Sequence, residues 1–218
     1  ISALWHSSAR PIQAKLGVRR TGSRPIWDSM FENDLRVFHA TRLHDTHTIR
    51  TEGLRKLNIA ERVAAVRAAL AALGKGGLAE EFDAAVARFN LSTPEFRYRE
   101  RKVYATPARR FLHDGGCDVF FENFGGEAIE RICLQGSATL REALSHFGDP
   151  SVVVFRIPSF RTCKRSESAL PNCMLDLMLQ RQGLLDHRPG YWDVVIEHDV
   201  PPDWIEAVVP QHDPSVAG

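Results

Sequence analysis

The sequence has few cysteines and no long apolar run, and both absences narrow the class of protein. Four cysteines are spread over 218 residues without a CxxC pair, which excludes a zinc ribbon and a disulfide framework. Reduced thiols are the simpler interpretation, so we expect a cytoplasmic protein. No apolar run reaches the roughly 18 residues of a membrane span, and the first residues lack the apolar core of a signal peptide. We therefore expect a soluble protein with no membrane partner.

The net charge is close to zero, and the common motifs of nucleotide and hydrolase sites are missing. A formal charge of +1 gives no general attraction to nucleic acid. The short basic stretches at residues 97–102 and 161–165 are either solvated faces or local nucleic-acid contacts. The absence of Walker, GxGxxG and GxSxG motifs excludes the usual nucleotide and serine hydrolases. His39, His44 and His47 have no third ligand at a diagnostic spacing, so no metal site is predicted.

The composition and residue patterns indicate one globular α+β domain. Hydrophobic residues make up 44% of the chain and charged residues 25%, as in average globular proteins. Residues 1–35 show no sustained period and predict an extended N-terminal arm, whereas residues 36–218 predict a single domain. Runs of β-branched or aromatic residues predict strands near 36–41, 102–106, 118–122, 151–157 and 192–199. Helical spacing and capping residues predict helices at 45–54, 60–73, 78–89, 127–134, 139–146 and 169–182.

Short motifs follow one another in a characteristic order. His-Ala-Thr at residues 39–41 lies on the first predicted strand, the following helix ends with Ile-Arg-Thr-Glu-Gly-Leu at 49–54, and Val-Tyr-Ala-Thr at 103–106 forms the second strand. This order resembles the ADP-ribosyltransferase superfamily, specifically its His-Tyr-Glu branch, in which the first motif usually reads His-Gly-Thr. The last predicted strand and the Val-Pro-Pro-Asp-Trp-Ile segment at 200–205 are similar to DNA-targeting ADP-ribosyltransferase toxins. The resemblance covers roughly residues 36–209.

The resemblance implies both a fold and an activity. The fold would be ADP-ribosyltransferase-like, with two split antiparallel β-sheets forming a cleft, flanking helices, and the helical hairpin of residues 60–89 as an insert. The activity would be NAD-dependent transfer of ADP-ribose to a macromolecular acceptor, a glycosyl transfer in which NAD is the substrate. A toxin or effector of this type would modify protein or nucleic acid, and an antitoxin or immunity protein is an expected partner.

Two alternatives to transfer remain open. A related enzyme would be an NAD glycohydrolase or an RNA 2′-phosphotransferase, the latter using basic groups around a 2′-phosphate and no essential carboxylate. A catalytically inactive module with the same fold would bind NAD or a partner without turnover. Replacement of the acidic residues separates the transferase from the phosphotransferase, because only the transferase requires an acid in the cleft.

The resemblance also assigns roles to residues of the first two strands. The ring of His39 would hydrogen-bond a ribose hydroxyl, the Ala40 backbone would hold the nicotinamide amide, and Thr41 completes this cofactor-binding motif. Tyr104 would stack on the nicotinamide, since its flat ring offers contact area with a polar handle. Arg42 is a candidate diphosphate contact because its guanidinium fork matches phosphate oxygens. The structural alternatives are a core histidine, an ordinary strand aromatic and a solvent-facing arginine.

Three carboxylates are candidates for the catalytic acid. Cleavage of the nicotinamide–ribose bond passes through an oxocarbenium-like centre, so the site needs a carboxylate near the developing positive charge. The family's glutamate is expected on a late strand, where the resemblance aligns Asp193, and alternation puts Glu197 on the same face. Glu127 competes because it follows two glycines at a predicted helix start, where exposed N–H groups favour a carboxylate. We expect Asp193 or Glu127 to face the pocket that contains His39 and Tyr104, with Glu197 as the third candidate.

Overall fold

The structure is a computed structural model that describes residues 34–74, 77–89, 98–114, 117–158, 182–183 and 193–213. Almost all of the predicted arm at 1–35 and of the predicted helix at 169–182 lies outside these residues. The basic stretch at 161–165 also lies outside them.

Two small antiparallel sheets form the centre of the fold, so the predicted α+β class is confirmed. The larger sheet has the order β1-β3-β5, with β1 at Leu35–Leu43, β3 at Asp149–Ile157 and β5 at Ile205–Pro210. The smaller sheet pairs β2 (Val103–Ala105) with β4 (Val194–Ile196). Because β3 is central and covered on both faces, its residues 151–155 are all buried, which explains the continuous apolar run at 152–155.

The two sheets meet where β1 passes the end of β2. Phe38 and Thr106 exchange both backbone hydrogen bonds, each with an N···O distance of 2.9 Å. The inner faces of the two sheets pack against each other, with Val37 and Phe155 from the larger sheet and Ile196 from the smaller one fully buried between them. This junction fixes the position of β1 relative to β2, and the candidate site lies beside it.

Helices lie between the strands along the chain. Asp45 caps the first helix by accepting a hydrogen bond from the His47 backbone at 2.8 Å, and Asn58 caps the second by accepting one from Glu61. Asparagine and aspartate are favoured N-caps because they satisfy the free N–H groups of the first turn. None of the helices in the described ranges has the length and apolar character to cross a bilayer. The helices are α1 (Thr46–Glu52), α2 (Ile59–Ala72), α3 (Leu78–Arg88), α4 (Phe111–Asp114), α5 (Asp118–Glu122), α6 (Gly126–Cys133) and α7 (Ala138–Ser145).

A second apolar core holds the helices together. Leu70 of α2, Phe82 of α3, Ile129 of α6 and Leu140 of α7 are fully buried in one cluster. The predicted helical hairpin between the first two strands is therefore confirmed as α2 and α3, and it packs on α6. This packing brings α6 alongside the cavity that β1 and β2 line.

The prediction of a strand at residues 118–122 is wrong, because this segment is helix α5. A short run of adjacent apolar residues fits a strand or a buried helical turn equally well, and periodicity does not separate them. In helix α5, the rings of the adjacent residues Phe120 and Phe121 have different environments. Phe121 is buried against the larger sheet, whereas Phe120 lines the cavity.

The sequence pattern also missed strand β5. The Val-Pro-Pro-Asp-Trp-Ile segment at 200–205 contains a 3₁₀-helix at Pro202–Trp204, after which the chain pairs with β3. Glu206 interrupts the apolar run of β5, but its carboxylate forms ion pairs with Arg36 at 2.7 Å and with Arg156. The charge of Glu206 makes this segment look less like a strand in the sequence. In the fold, arginines of two strands that are distant in sequence neutralise that charge.

Candidate active site

A cavity of about 730 Å³ lies beside the junction of the two sheets; we call it the main cavity. Residues from β1, β2, α5 and α6 line it, together with the residue that precedes β4. Its volume is within the range of about 300–1,000 Å³ that is typical of small-molecule sites. Side chains that can bind a ligand or take part in catalysis line the cavity, among them His39, Tyr104, Arg99, Glu127, Glu130 and Asp193.

His39 is oriented by the backbone of the neighbouring strand. Its Nδ1 lies 2.7 Å from the carbonyl oxygen of Tyr104, 65 positions later in the chain. A carbonyl oxygen only accepts, so Nδ1 carries the proton and donates it. Burial lowers the pKa of His39, which keeps the ring neutral near pH 7. The remaining nitrogen, Nε2, is therefore a hydrogen-bond acceptor, as binding of a ribose hydroxyl would require.

Tyr104 presents its ring to the cavity, and its hydroxyl is already engaged. The hydroxyl donates a hydrogen bond of 3.0 Å to the carbonyl oxygen of Tyr98. Burial, followed by the neighbouring Tyr98, raises the pKa of the Tyr104 phenol, so it stays protonated. The Arg99 guanidinium carbon lies 5.3 Å from the centre of the Tyr104 ring. The ring is therefore a surface for flat or cationic groups, and Arg99 now occupies that surface.

Glu127 lies at the start of α6, held by two arginines. One carboxylate oxygen is 2.5 Å from Arg99, the other is 2.8 Å from Arg131, and the side chain is 17% exposed. The preceding Gly125 has a φ of 96°, and a Cβ there would collide with Ile129. Only glycine fits this approach of the loop to the helix, which explains why a Gly-Gly pair precedes the acid.

The structure brings Asp193 into the same cavity as Glu127. Asp193 is an exposed residue immediately before β4. Its charge contributes, after burial and the effects of Tyr98 and Arg99, to the raised pKa of Tyr104, so it acts on the cavity electrostatically. Glu197 is exposed just beyond the end of β4, and it does not line the main cavity. Two of the three candidate acids thus lie with His39 and Tyr104.

Glu130 is a further cavity carboxylate that the sequence analysis did not select. It lies one helical turn after Glu127, so both side chains project from the same face of α6 into the main cavity. Burial, and then the charges of Glu122 and Glu127, raise the pKa of Glu130. The Glu-x-x-Glu spacing after the glycine pair was the sequence signal that could have identified it.

A smaller cavity of about 270 Å³ adjoins the main one; we call it the side cavity. It shares His39, Ala40, Tyr104, Arg99 and Glu127 with the main cavity and adds Thr41. All three residues of the His-Ala-Thr motif therefore line one or both cavities. The side cavity also contains a group of basic side chains: Arg55, Arg62 and Lys102.

Arg42 takes a different position from the one predicted for a diphosphate contact. Side chains alternate along a strand, so Arg42 lies on the opposite face of β1 from His39 and Thr41. Its guanidinium donates hydrogen bonds to the carbonyl oxygens of Phe147 at 2.8 Å, Gly148 at 2.6 Å and Phe121. These three contacts give Arg42 a structural role, and Arg42 lines neither the main cavity nor the side cavity.

Comparison of the chain with protein-family models, with curated proteins and with solved structures found no match. The interpretation of the site therefore depends on its geometry and on the sequence motifs that line it.

Proposed function

We propose that the protein is an NAD-dependent ADP-ribosyltransferase and that the main cavity is its NAD site. The main support for this proposal is that residues from distant parts of the chain meet in one cavity. His39, Tyr104, Glu127 and Asp193 come from four separate segments of the chain and line one cavity. These are the residue types that glycosyl transfer from NAD requires: an acceptor for a ribose hydroxyl, an aromatic surface and carboxylates for a cationic centre.

In this proposal, NAD binds to groups of the protein that are already oriented in its absence. A ribose hydroxyl donates to Nε2 of His39, whose tautomer is fixed by the hydrogen bond to the Tyr104 carbonyl. The Ala40 backbone holds the nicotinamide amide. The nicotinamide ring of NAD⁺ is cationic, so it is attracted to the face of Tyr104 as a guanidinium is.

The Arg99 contact suggests how binding exposes the acid. Arg99 packs on the Tyr104 ring and pairs with Glu127. A nicotinamide on that ring takes the place of Arg99, because both are flat cations. The Glu127 oxygen that Arg99 releases then faces the ribose carbon, while Arg131 still holds the other oxygen at 2.8 Å. Substrate binding thereby places an anion where positive charge develops.

The chemical step breaks the bond between the ribose carbon and the nicotinamide nitrogen. The bonding electrons leave with neutral nicotinamide, and the anions of Glu127 and Asp193 stabilise the oxocarbenium-like centre. The nucleophile of the acceptor then bonds to the ribose carbon and loses its proton. Glu130 is placed to receive that proton, because it lines the cavity and its raised pKa makes the carboxylate a better base.

The acid variants test this proposal through nicotinamide release. Glu127→Gln and Asp193→Asn keep the shape of the side chain and remove its charge. We expect at least one of them to lower the release rate by about a hundredfold or more, since loss of transition-state electrostatics has this magnitude. Both should still bind NAD, because the contacts of His39 and Tyr104 remain. Glu142→Gln, at an exposed position of α7, is the matched control and should release nicotinamide at the wild-type rate.

The same assay separates the transferase from its relatives. Labelled ADP-ribose should appear on protein or nucleic acid of a cell lysate, whereas a glycohydrolase would give only free ADP-ribose. The transferase mechanism is refuted if Glu127→Gln, Asp193→Asn and Glu130→Gln all retain full nicotinamide release. If the wild-type protein consumes no NAD, the cavity belongs to a binding module.

A further inference from the structure

The side cavity is lined by an excess of positive charge. Four cationic side chains and two carboxylates face it, and it adjoins the ring of His39. Cavities lined by one sign of charge attract ligands of the opposite sign. The cations are Arg55, Arg62, Arg99 and Lys102, and the carboxylates are Glu52 and Glu127.

Three of the four cations already have a partner. Arg55 pairs with Glu52 at 2.7 Å, and Arg99 pairs with Glu127 at 2.5 Å. Lys102 donates to the Tyr98 carbonyl at 2.7 Å. Both carboxylates of the side cavity are therefore used by other cations.

Among these four cations, Arg62 is the one for which the described residues provide no partner. It lies on the first turn of α2 and is half-buried at the wall of the side cavity, and this partial burial lowers the pKa of its guanidinium. Among the described residues, no carboxylate or carbonyl oxygen accepts a hydrogen bond from this guanidinium. A half-buried guanidinium that lines a cavity and has no protein anion beside it is available to a ligand that supplies the anion.

We propose that Arg62 forms an anion subsite in the side cavity that binds a phosphate group attached to the ribose of the substrate. Arg62 is close enough to His39 to interact with it electrostatically. The pair combines an acceptor for a sugar hydroxyl with a guanidinium fork, and the fork matches two phosphate oxygens. The choice of ligand rests on the proposed function, while the subsite itself is defined by the chemistry of Arg62 and His39.

Ribose phosphates of two kinds carry this chemistry, and binding measurements distinguish them. ADP-ribose carries a diphosphate on the 5′ position, and 2′-AMP carries a phosphate on the 2′ position. Adenosine carries neither and serves as the reference ligand. Whichever phosphate enters the subsite gives the larger gain in affinity over adenosine.

The experiment measures the dissociation constants of these three ligands by calorimetry for wild type and variants. We expect wild type to bind ADP-ribose or 2′-AMP at least tenfold more tightly than adenosine, as expected for a charge-assisted bidentate contact. Arg62→Gln should abolish the difference without weakening adenosine binding. Arg62→Lys should retain part of it, because the charge remains but the fork is lost. Arg67→Gln is the matched control on the same helix, since Arg67 is exposed and pairs with Asp83.

Thermal unfolding distinguishes a ligand-binding role from a structural one. Without ligand, Arg62→Gln should unfold at the same temperature as wild type or a higher one, because it removes a half-buried charge that has no anion beside it among the described residues. The subsite is refuted if wild type does not distinguish the phosphates from adenosine, or if Arg62→Gln still does. Discrimination that depends on Arg62, in a protein that releases no nicotinamide, would support the subsite and reject the transferase.

Discussion

At the scale of single residues, the central feature is the ring of His39. Its Nδ1–H is bound to a backbone carbonyl, and its burial lowers its pKa below 6.5. The ring is thus kept in the neutral form, in which Nε2 can accept a hydrogen bond. The same arrangement makes the stability of the protein depend on pH.

We predict that wild type loses stability as the pH falls below 6.5, the ordinary pKa of histidine. The unfolded chain binds a proton at His39 in this range, whereas the folded chain resists protonation, so the unfolded state is favoured. Between pH 7.5 and 5.5, His39 should contribute a loss of at most about 1.4 kcal/mol in the free energy of unfolding, the limit reached if the folded protein takes up no proton there. Urea unfolding at both pH values, compared with His39→Gln, measures this contribution.

The control for this prediction is His146→Gln, because the side chain of His146 is exposed to solvent. This variant should show the pH dependence of wild type. If His39→Gln and wild type lose the same stability between the two pH values, His39 does not remain neutral in the folded protein.

The sequence could predict the site only where a motif fixed the position of a residue. His39 and Tyr104 were expected in one pocket, and both line the main cavity. Arg42 follows the same motif, but strand alternation turns it towards the carbonyl oxygens of another part of the chain. Arg62 and Glu130 lie on helices whose position depends on tertiary packing. The Glu-x-x-Glu spacing pointed to Glu130 beside Glu127, whereas no local pattern connects Arg62 to β1.

At the scale of elements, the corner that follows α1 depends on one glycine. Gly53 ends α1 with a φ of 82°, and Leu54 then exchanges two backbone hydrogen bonds of 2.9 Å with Val200. A Cβ at Gly53 would overlap the carbonyl oxygen of Val200. This contact holds α1 against the segment that leads from β4 into β5.

We predict that Gly53→Ala lowers the free energy of unfolding by at least about 3 kcal/mol, because backbone strain and a collision with the main chain both act there. Gly74→Ala is the matched control. Gly74 also has a positive φ, of 63°, but a Cβ there would meet no atom within 4 Å. It should lose only about 1 kcal/mol from the left-handed backbone. Equal losses for the two variants in chemical denaturation would show that the close approach at Gly53 is unimportant.

Elements with a strong local signal could be predicted, and those defined by tertiary contacts could not. The β-branched run of β3 and the capped, alanine-rich α2 were expected near their observed positions. Helix α5 was mistaken for a strand because its short apolar run has no distinctive period. Strand β5 was missed because Glu206 is accommodated by arginines of β1 and β3.

At the scale of the whole molecule, the main cavity lies between two apolar cores. One core joins the two sheets, and the other joins α2, α3, α6 and α7. His39 and Tyr104 belong to strands of the sheets, whereas Glu127 and Glu130 project from α6 of the helical core. The proposed site therefore requires both cores to be in place, and its aromatic and acidic sides come from different cores.

The most direct test of the proposed function is the structure of the protein bound to an NAD analogue whose ribose–nicotinamide link is not cleavable. We expect the analogue to occupy the main cavity, with a ribose hydroxyl within about 2.6–3.2 Å of the His39 Nε2. The nicotinamide should lie on the Tyr104 ring, where Arg99 lies 5.3 Å from the ring centre without ligand. An analogue bound outside the main cavity, or no binding at millimolar concentration, would contradict the account.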